Sequence, residues 1–398
     1  MNRKHIEIIV ILCGLSAASV GICINCQSVF YVAVSDALNV YRGSLSMYQT
    51  IVTLTLAVFS LIVPRLLKEK NFKLYVNISI IVMVITIVLM AFATNLTQFY
   101  ILSFIRGVAM SFTNIVMITI IVNGWFLSKR GIITSIILAI AGAVGVIMSP
   151  VFTYIINNYS YKVAYIVMAT LTLLMCLPFI FKKVSIKAET IGYEPYGELQ
   201  EVDKVNHRKF TYAYLPFIAI VLLSLLTTSC NGVTANMQGY AMSIGKSTYT
   251  GSLMVSAVMA ANIVSKLLLG ELTDRLGAYK ASFIMIVLYM VGITGLCFVN
   301  NEISMILLSF VFGFIYSITS IGVAFISREF FGDNNYAKVF PVVSFAGSVG
   351  SALAISLIGY VYDFTGTYKT VFYFYVGVGI ISLLLLIYSY SKTKQLKQ

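Results

Sequence analysis

Two cations sit in stretches otherwise too apolar to hold them, and they set the chemistry the chain has available. Lys266 lies inside the apolar run 250–269 and Arg106 inside the run 98–122. A cation at the centre of a membrane helix costs about 2.5–3.5 kcal/mol on insertion scales, so it normally faces a cavity, a partner or a ligand. Asn262 stands one helical turn before Lys266 and shares its face. An ammonium with an amide beside it can hold one carboxylate by charge and hydrogen bond. The competing reading is a lysine that snorkels to the cytoplasmic surface, because Gly270, where a charged stretch begins, follows four residues later. Arg106 likewise reads either as a support for the site or as a structural group bonding the backbone of a neighbouring helix.

The acids and nucleophiles narrow this further. No Asp or Glu lies well inside an apolar run, so a carboxylate proton relay has no evident donor. That favours exchange of one anion for another, or movement with the substrate's own proton. The two histidines, His5 and His207, fall outside the apolar runs and are expected to be solvated. Cys23 and Cys26 have CxxC spacing, but no second cysteine pair or histidine accompanies them, so packed thiols are expected. Nothing assembles a nucleophile with its base or a metal cluster, so neither an enzyme nor a cofactor is expected.

The elements that must position these groups are membrane helices. Of the 398 residues, 59% are hydrophobic and 10% charged, against about 25% charged in soluble domains. Hydropathy gives twelve spans, over about 7–34, 46–64, 75–93, 98–122, 132–156, 163–181, 214–240, 250–269, 281–299, 303–326, 338–359 and 370–390. The first shows no cleavage site and reads as a span rather than a signal peptide. With the N-terminus in the cytoplasm, cytoplasmic segments carry 21 Lys and Arg and the opposite loops four: Arg42, Lys162, Lys246 and Lys369. Such a bias puts both termini in the cytoplasm. It also explains the net charge of +13 without nucleic acid.

The fold expected is an all-α membrane protein of two pseudo-symmetric six-helix bundles, over 1–181 and 212–398, joined by a polar cytoplasmic linker over 182–211. Internal repetition supports it. Ala141–Gly145 recurs as Ala346–Gly350, 205 residues on, while Ser103–Gly107 recurs as Ser309–Gly313 and Asn25 as Asn231, both 206 on. Repeats of this kind typify transporters, with the site near the midplane. Gln27, Tyr31, Asn231 and Tyr316 are expected to line it. Small residues in spans 5 and 11 suit close helix packing.

Gly270 to Lys280 fits G-x-x-x-D-R-x-G-x-x-K and resembles the signature loop of the major facilitator superfamily. The resemblance implies a conformational latch of Gly270, Asp274, Arg275, Gly277 and Lys280 between spans 8 and 9. In the equivalent first-half segment only Arg65 and Lys70 survive. Asn123–Gly131, the glycine-rich run to Pro150, and Phe312–Ser317 resemble the monocarboxylate and oxalate/formate transporter branch. There a span-8 cation four residues before the loop's glycine holds the substrate carboxylate, the position of Lys266. The chain departs from that branch in having Val343 where oxalate carriers have a span-11 cation, Asn262 where proton-coupled carriers have an acid, and no lysine in span 1. The resemblance therefore implies a secondary transporter of small monocarboxylate anions, in a plasma (inner) membrane, working as a monomer by alternating access with a proton or counter-anion. Lys266, Asn262 and Arg106 are its expected substrate-binding polar groups. A major facilitator exporter of drugs or other metabolites is the alternative.

Overall fold

Hydrocarbon offers the backbone no water, so every segment that crosses it must satisfy its own N–H and C=O groups. A computed structural model describes residues 1–197 and 215–395, and the described chain is helical almost throughout. Among the described residues, eleven helices are long and apolar enough to cross a membrane. The helix Arg42–Leu66, 25 residues long, occupies the place of the second expected span.

The chain divides into two compact units. Unit 1 is Met1–Val40 with Met47–Val202; unit 2 is Tyr41–Ser46 with Asp203–Gln398. Unit 1 holds span 1 (Arg3–Ile22, then Ser28–Leu38), the body of span 2, span 3 (Glu69–Phe92), span 4 (Leu96–Trp125), span 5 (Gly131–Asn158) and span 6 (Tyr161–Phe181). Unit 2 holds span 7 (Leu215–Ser243), span 8 (Thr248–Leu276), span 9 (Ala278–Phe298), span 10 (Glu302–Phe331), span 11 (Asp333–Thr365) and span 12 (Lys369–Gln395).

Three of these helices are interrupted near their middles, which hydropathy did not reveal. Span 1 passes through a π-helical stretch, Ala17–Ile22, and a turn before Ser28. Span 4 breaks between Ser111 and Ile115, with the Asn114 side chain capping the restart. Span 10 breaks after Phe312 and contains a π-helical stretch, Ile318–Gly322. Residues 112–114 shifted by 206 fall on 318–320, so the break in span 4 corresponds to the π-helical stretch of span 10. Such π-bulges free backbone groups and recur at functional sites.

The small-residue stripes do serve packing. Span 11 lies so close to span 7 that a Cβ on Gly350 would collide with the Leu225 carbonyl oxygen, and Asn231 donates to Ser351 Oγ at 2.8 Å across the same seam. In unit 1, a Cβ on Gly21 would stand 2.9 Å from the Ala141 carbonyl oxygen of span 5. Phe30 stacks on Tyr165 at 4.3 Å in that unit's core.

The segment expected as a linker begins as part of unit 1. Trp125 Nε1 donates to the Ser185 carbonyl at 2.9 Å, Ile186 N donates to Glu69 Oε1 at 3.0 Å, and Leu127 N donates to the Tyr196 carbonyl at 2.8 Å. Residues 182–197 thus form a strap across the ends of spans 3, 4 and 5. It closes over His5, which is 4% exposed, packed among Trp125, Phe126 and Tyr196, and bonded through Nε2 to the Glu194 carbonyl at 3.0 Å. The expectation of a solvated His5 is therefore corrected: the aromatic strap removes it from water. His207 and the remaining linker acids lie outside the described residues.

Gly350→Ala tests the span 7–span 11 seam. Its methyl group has to displace the Leu225 backbone, so a loss of about 1–3 kcal/mol is expected, read as a lowered thermal midpoint of the purified protein.

Candidate functional site

Unit 2 carries the signature stretch and most of the expected site. Span 8 does not end at Gly270: the helix runs through Glu271, Asp274 and Arg275 to Leu276 and stops at Gly277, whose φ of +85° an L side chain rarely adopts. The charged stretch read as a turn is thus the last turns of the helix plus a one-residue break. Arg275 pairs with Glu271 at 2.6 Å on an exposed face, and Asp274 and Lys280 are exposed. Glu329, near the end of span 10, accepts a hydrogen bond from Ala278 N, the first residue of span 9. A helix N-terminus presents unpaired N–H groups and a positive dipole end, so a carboxylate there secures the turn. Glu329 was missed because its acceptor role depends on the packing of span 10 against span 9, which no local spacing encodes.

Extension of the helix changes the position of Lys266. Leu276 lies ten residues beyond it, about 15 Å along the axis. Lys266 is half-buried and has neither a salt bridge nor a hydrogen bond among the described residues. Asn262, one turn away, has its Oδ1 buried and without a hydrogen-bond partner. On span 7, Asn231 spends its amide N–H on Ser351, which leaves Oδ1 buried and unpaired. Tyr316 is half-buried at the interrupted part of span 10, between Gly313 and the π-helical stretch. The structure keeps Lys266 and Asn262 on one face of span 8 without bonding them to each other.

Unit 1 gathers its three expected residues through two neighbours on span 2. Arg106 is wholly buried, donates to Gln49 Oε1 at 3.3 Å and stands over the Tyr48 ring at 5.7 Å; its Nε is unpaired. Tyr48 in turn donates to Gln27 Oε1 at 2.6 Å and meets Tyr31 edge-on at 5.7 Å. Arg106, Gln27 and Tyr31 therefore share one polar cluster with Tyr48 at its hub. A guanidinium held by an amide oxygen, a π face and the Met90 sulfur has no acid to neutralise it among the described residues. Tyr48 carries no signal of its own in a chain with 26 tyrosines, because its role depends on contacts with spans 1 and 4. In the first-half copy of the signature segment, the Arg65 side chain lies outside the described residues. No group of His, Cys, Asp or Glu among the described residues could hold a metal ion.

The family described as Major Facilitator Superfamily matches residues 13–223 and 217–398, which together span almost the whole chain. The chain belongs to that superfamily. It is a multi-pass membrane transport protein with two repeats, not an enzyme. Among curated proteins it is 22% identical over 311 residues to monocarboxylate transporter 12 of Xenopus laevis, a match covering 72% of this chain and 67% of that one. It is also 22% identical over 291 residues to monocarboxylate transporter 13 of Rattus norvegicus, covering 71% and 65%. The chain thus spans about two thirds of these relatives' length. Among solved structures, a mutant of the nucleoside transporter NupG aligns with a TM-score of 0.74, covering 97% of this chain and 99% of that chain at 12% identity. That likeness confirms the superfamily fold.

Within this fold the Glu329 contact is testable. Glu329→Ala removes the acceptor from the start of span 9 and is expected to lower stability by about 0.5–2 kcal/mol. Glu329→Gln, which keeps an oxygen acceptor, should lose less in the same thermal unfolding assay.

Proposed function

We propose that this superfamily member carries small monocarboxylate anions across the plasma (inner) membrane, with both termini in the cytoplasm, by alternating access between its two bundles. One observation carries the reading. Lys266 is a half-buried cation about 15 Å from the end of its helix, with no acidic partner among the described residues. A buried charge that the protein leaves uncompensated is stabilised most by a ligand of opposite sign. Asn262 flanks the anion, its amide supplying a hydrogen bond. Asn231 and Tyr316 complete this site within unit 2, and the Gln27, Tyr31 and Arg106 cluster is unit 1's own substrate-binding group. The resemblance to the monocarboxylate branch and the names of the curated relatives support the same class of cargo.

Coupling follows from the same inventory. Among the described residues neither cation has a carboxylate to exchange protons with, so the substrate leaves as one anion exchanged for another or brings its own proton. The latch of Gly270, Asp274, Arg275, Gly277 and Lys280 acts at the cytoplasmic end of unit 2, where Glu329 fixes its backbone and leaves Asp274 exposed to engage a partner.

The test is binding of short monocarboxylates such as lactate, pyruvate and formate to the purified protein, followed by uptake in proteoliposomes. Lys266→Ala should weaken binding at least tenfold, about 1.4 kcal/mol or more, while Lys266→Arg retains it. Undiminished carboxylate binding by Lys266→Ala overturns the anchor. Stabilisation by a lipophilic cation and by no organic acid would favour the exporter reading instead.

A further inference from the structure

In the sequence Arg42 counts only as a loop cation and Asp363 belongs to no motif, yet the structure joins them. The segment Tyr41–Ser46 packs within unit 2, although the rest of its helix, from Met47, belongs to unit 1. Tyr41, whose carbonyl accepts from Leu45 N at 3.0 Å, stands at the N-cap position, and a phenol cannot fold back onto the next N–H groups as Ser, Thr, Asp or Asn would.

Asp363, more than 300 residues on, supplies the cap. Its Oδ1 accepts from Arg42 N at 3.2 Å and its Oδ2 from Gly43 N at 2.7 Å. Two further contacts reinforce the seat. The Arg42 guanidinium stands over the Tyr362 ring at 4.7 Å, and Tyr362 stacks on Tyr368 at 4.4 Å. The Ser44 and Tyr360 hydroxyls meet at 3.2 Å. Burial pushes the Tyr368 hydroxyl up to about 12, with the neighbouring Arg42 pulling the other way, so this phenol stays neutral at physiological pH.

A carboxylate at a helix start engages both the free N–H groups and the dipole, but only while the two elements are docked. We propose that Asp363 is a detachable cap: a clasp at the ends of spans 2 and 11 remote from the signature turn, which must release whenever Tyr41–Ser46 leaves unit 2. It is a gating element independent of the cargo, since none of its groups belongs to the Lys266 or Arg106 clusters.

Cysteine labelling tests this without reference to any substrate. Ser44→Cys is introduced as a reporter and Ser243→Cys, at the end of span 7, as a control, with each peptide's maleimide labelling followed by mass. In an Asp363→Ala background the peptide carrying the Ser44→Cys reporter should label about tenfold faster, the effect of losing a charged cap, while the control rate stays unchanged. Asp363→Asn, which keeps one acceptor oxygen, should give an intermediate rise and serves if the alanine variant does not fold. An unchanged rate at the Ser44→Cys reporter overturns the proposal. So does an equal rise at both reporters, because Asp363 would then merely hold unit 2 together.

Discussion

A positive charge enclosed away from solvent, with no acid beside it among the described residues, is the constraint on which this structure turns. Arg106 is wholly enclosed in unit 1, and the groups around it are neutral: an amide oxygen, an aromatic face and a thioether sulfur. Each lowers the cost of burial without cancelling the charge. The neighbouring polar side chains are arranged around that fact. Tyr48 presents its ring to Arg106 and its hydroxyl to Gln27, so the field of one buried cation is spread over three helices. In unit 2 Lys266 likewise has no acidic partner among the described residues, and Asn262, one turn away, keeps an unpaired amide oxygen.

Much of the fold could be read from composition because hydrocarbon imposes a simple rule on sequence. A crossing helix needs about twenty apolar residues, so the spans announce themselves, and the duplicated stretches near Gly145 and Gly350 betray the repeat. The interruptions did not show. Residues 17–27 and 313–322 fall inside apolar runs, and a π-turn is set by how neighbouring helices receive the displaced carbonyls, not by local propensity. The end of span 8 was misplaced for a related reason. Glu271, Asp274 and Arg275 are too polar for hydrocarbon but entirely compatible with helix, so hydropathy found the membrane boundary while the helix went on to Gly277.

The site was legible by type and less so by partner. Lys266 and Asn262 stand out because charge and amide are rare in such runs, and helical spacing places them on one face. Tyr48, Glu329 and Asp363 act through contacts with elements distant in sequence, and a tyrosine or an end-of-helix acid is unremarkable in a chain with 26 tyrosines. His5 shows the converse error. A polar residue near a terminus reads as solvated until the strap that covers it, most of two hundred residues away, is folded onto it.

That strap has a consequence for how the protein is made. Every group that receives it — the amino-terminal helix, Glu69, Lys73 and the Trp125–Ser128 corner — is synthesised before the strap itself. The first bundle can therefore close this end of its core once Gly197 has left the ribosome, while the second is still being translated. Bundles generally mature in chain order, and here the last piece of the first is also the beginning of the tether to the second. A nascent chain so finished offers its aromatic end groups to its own strap rather than to the unfolded helices that follow.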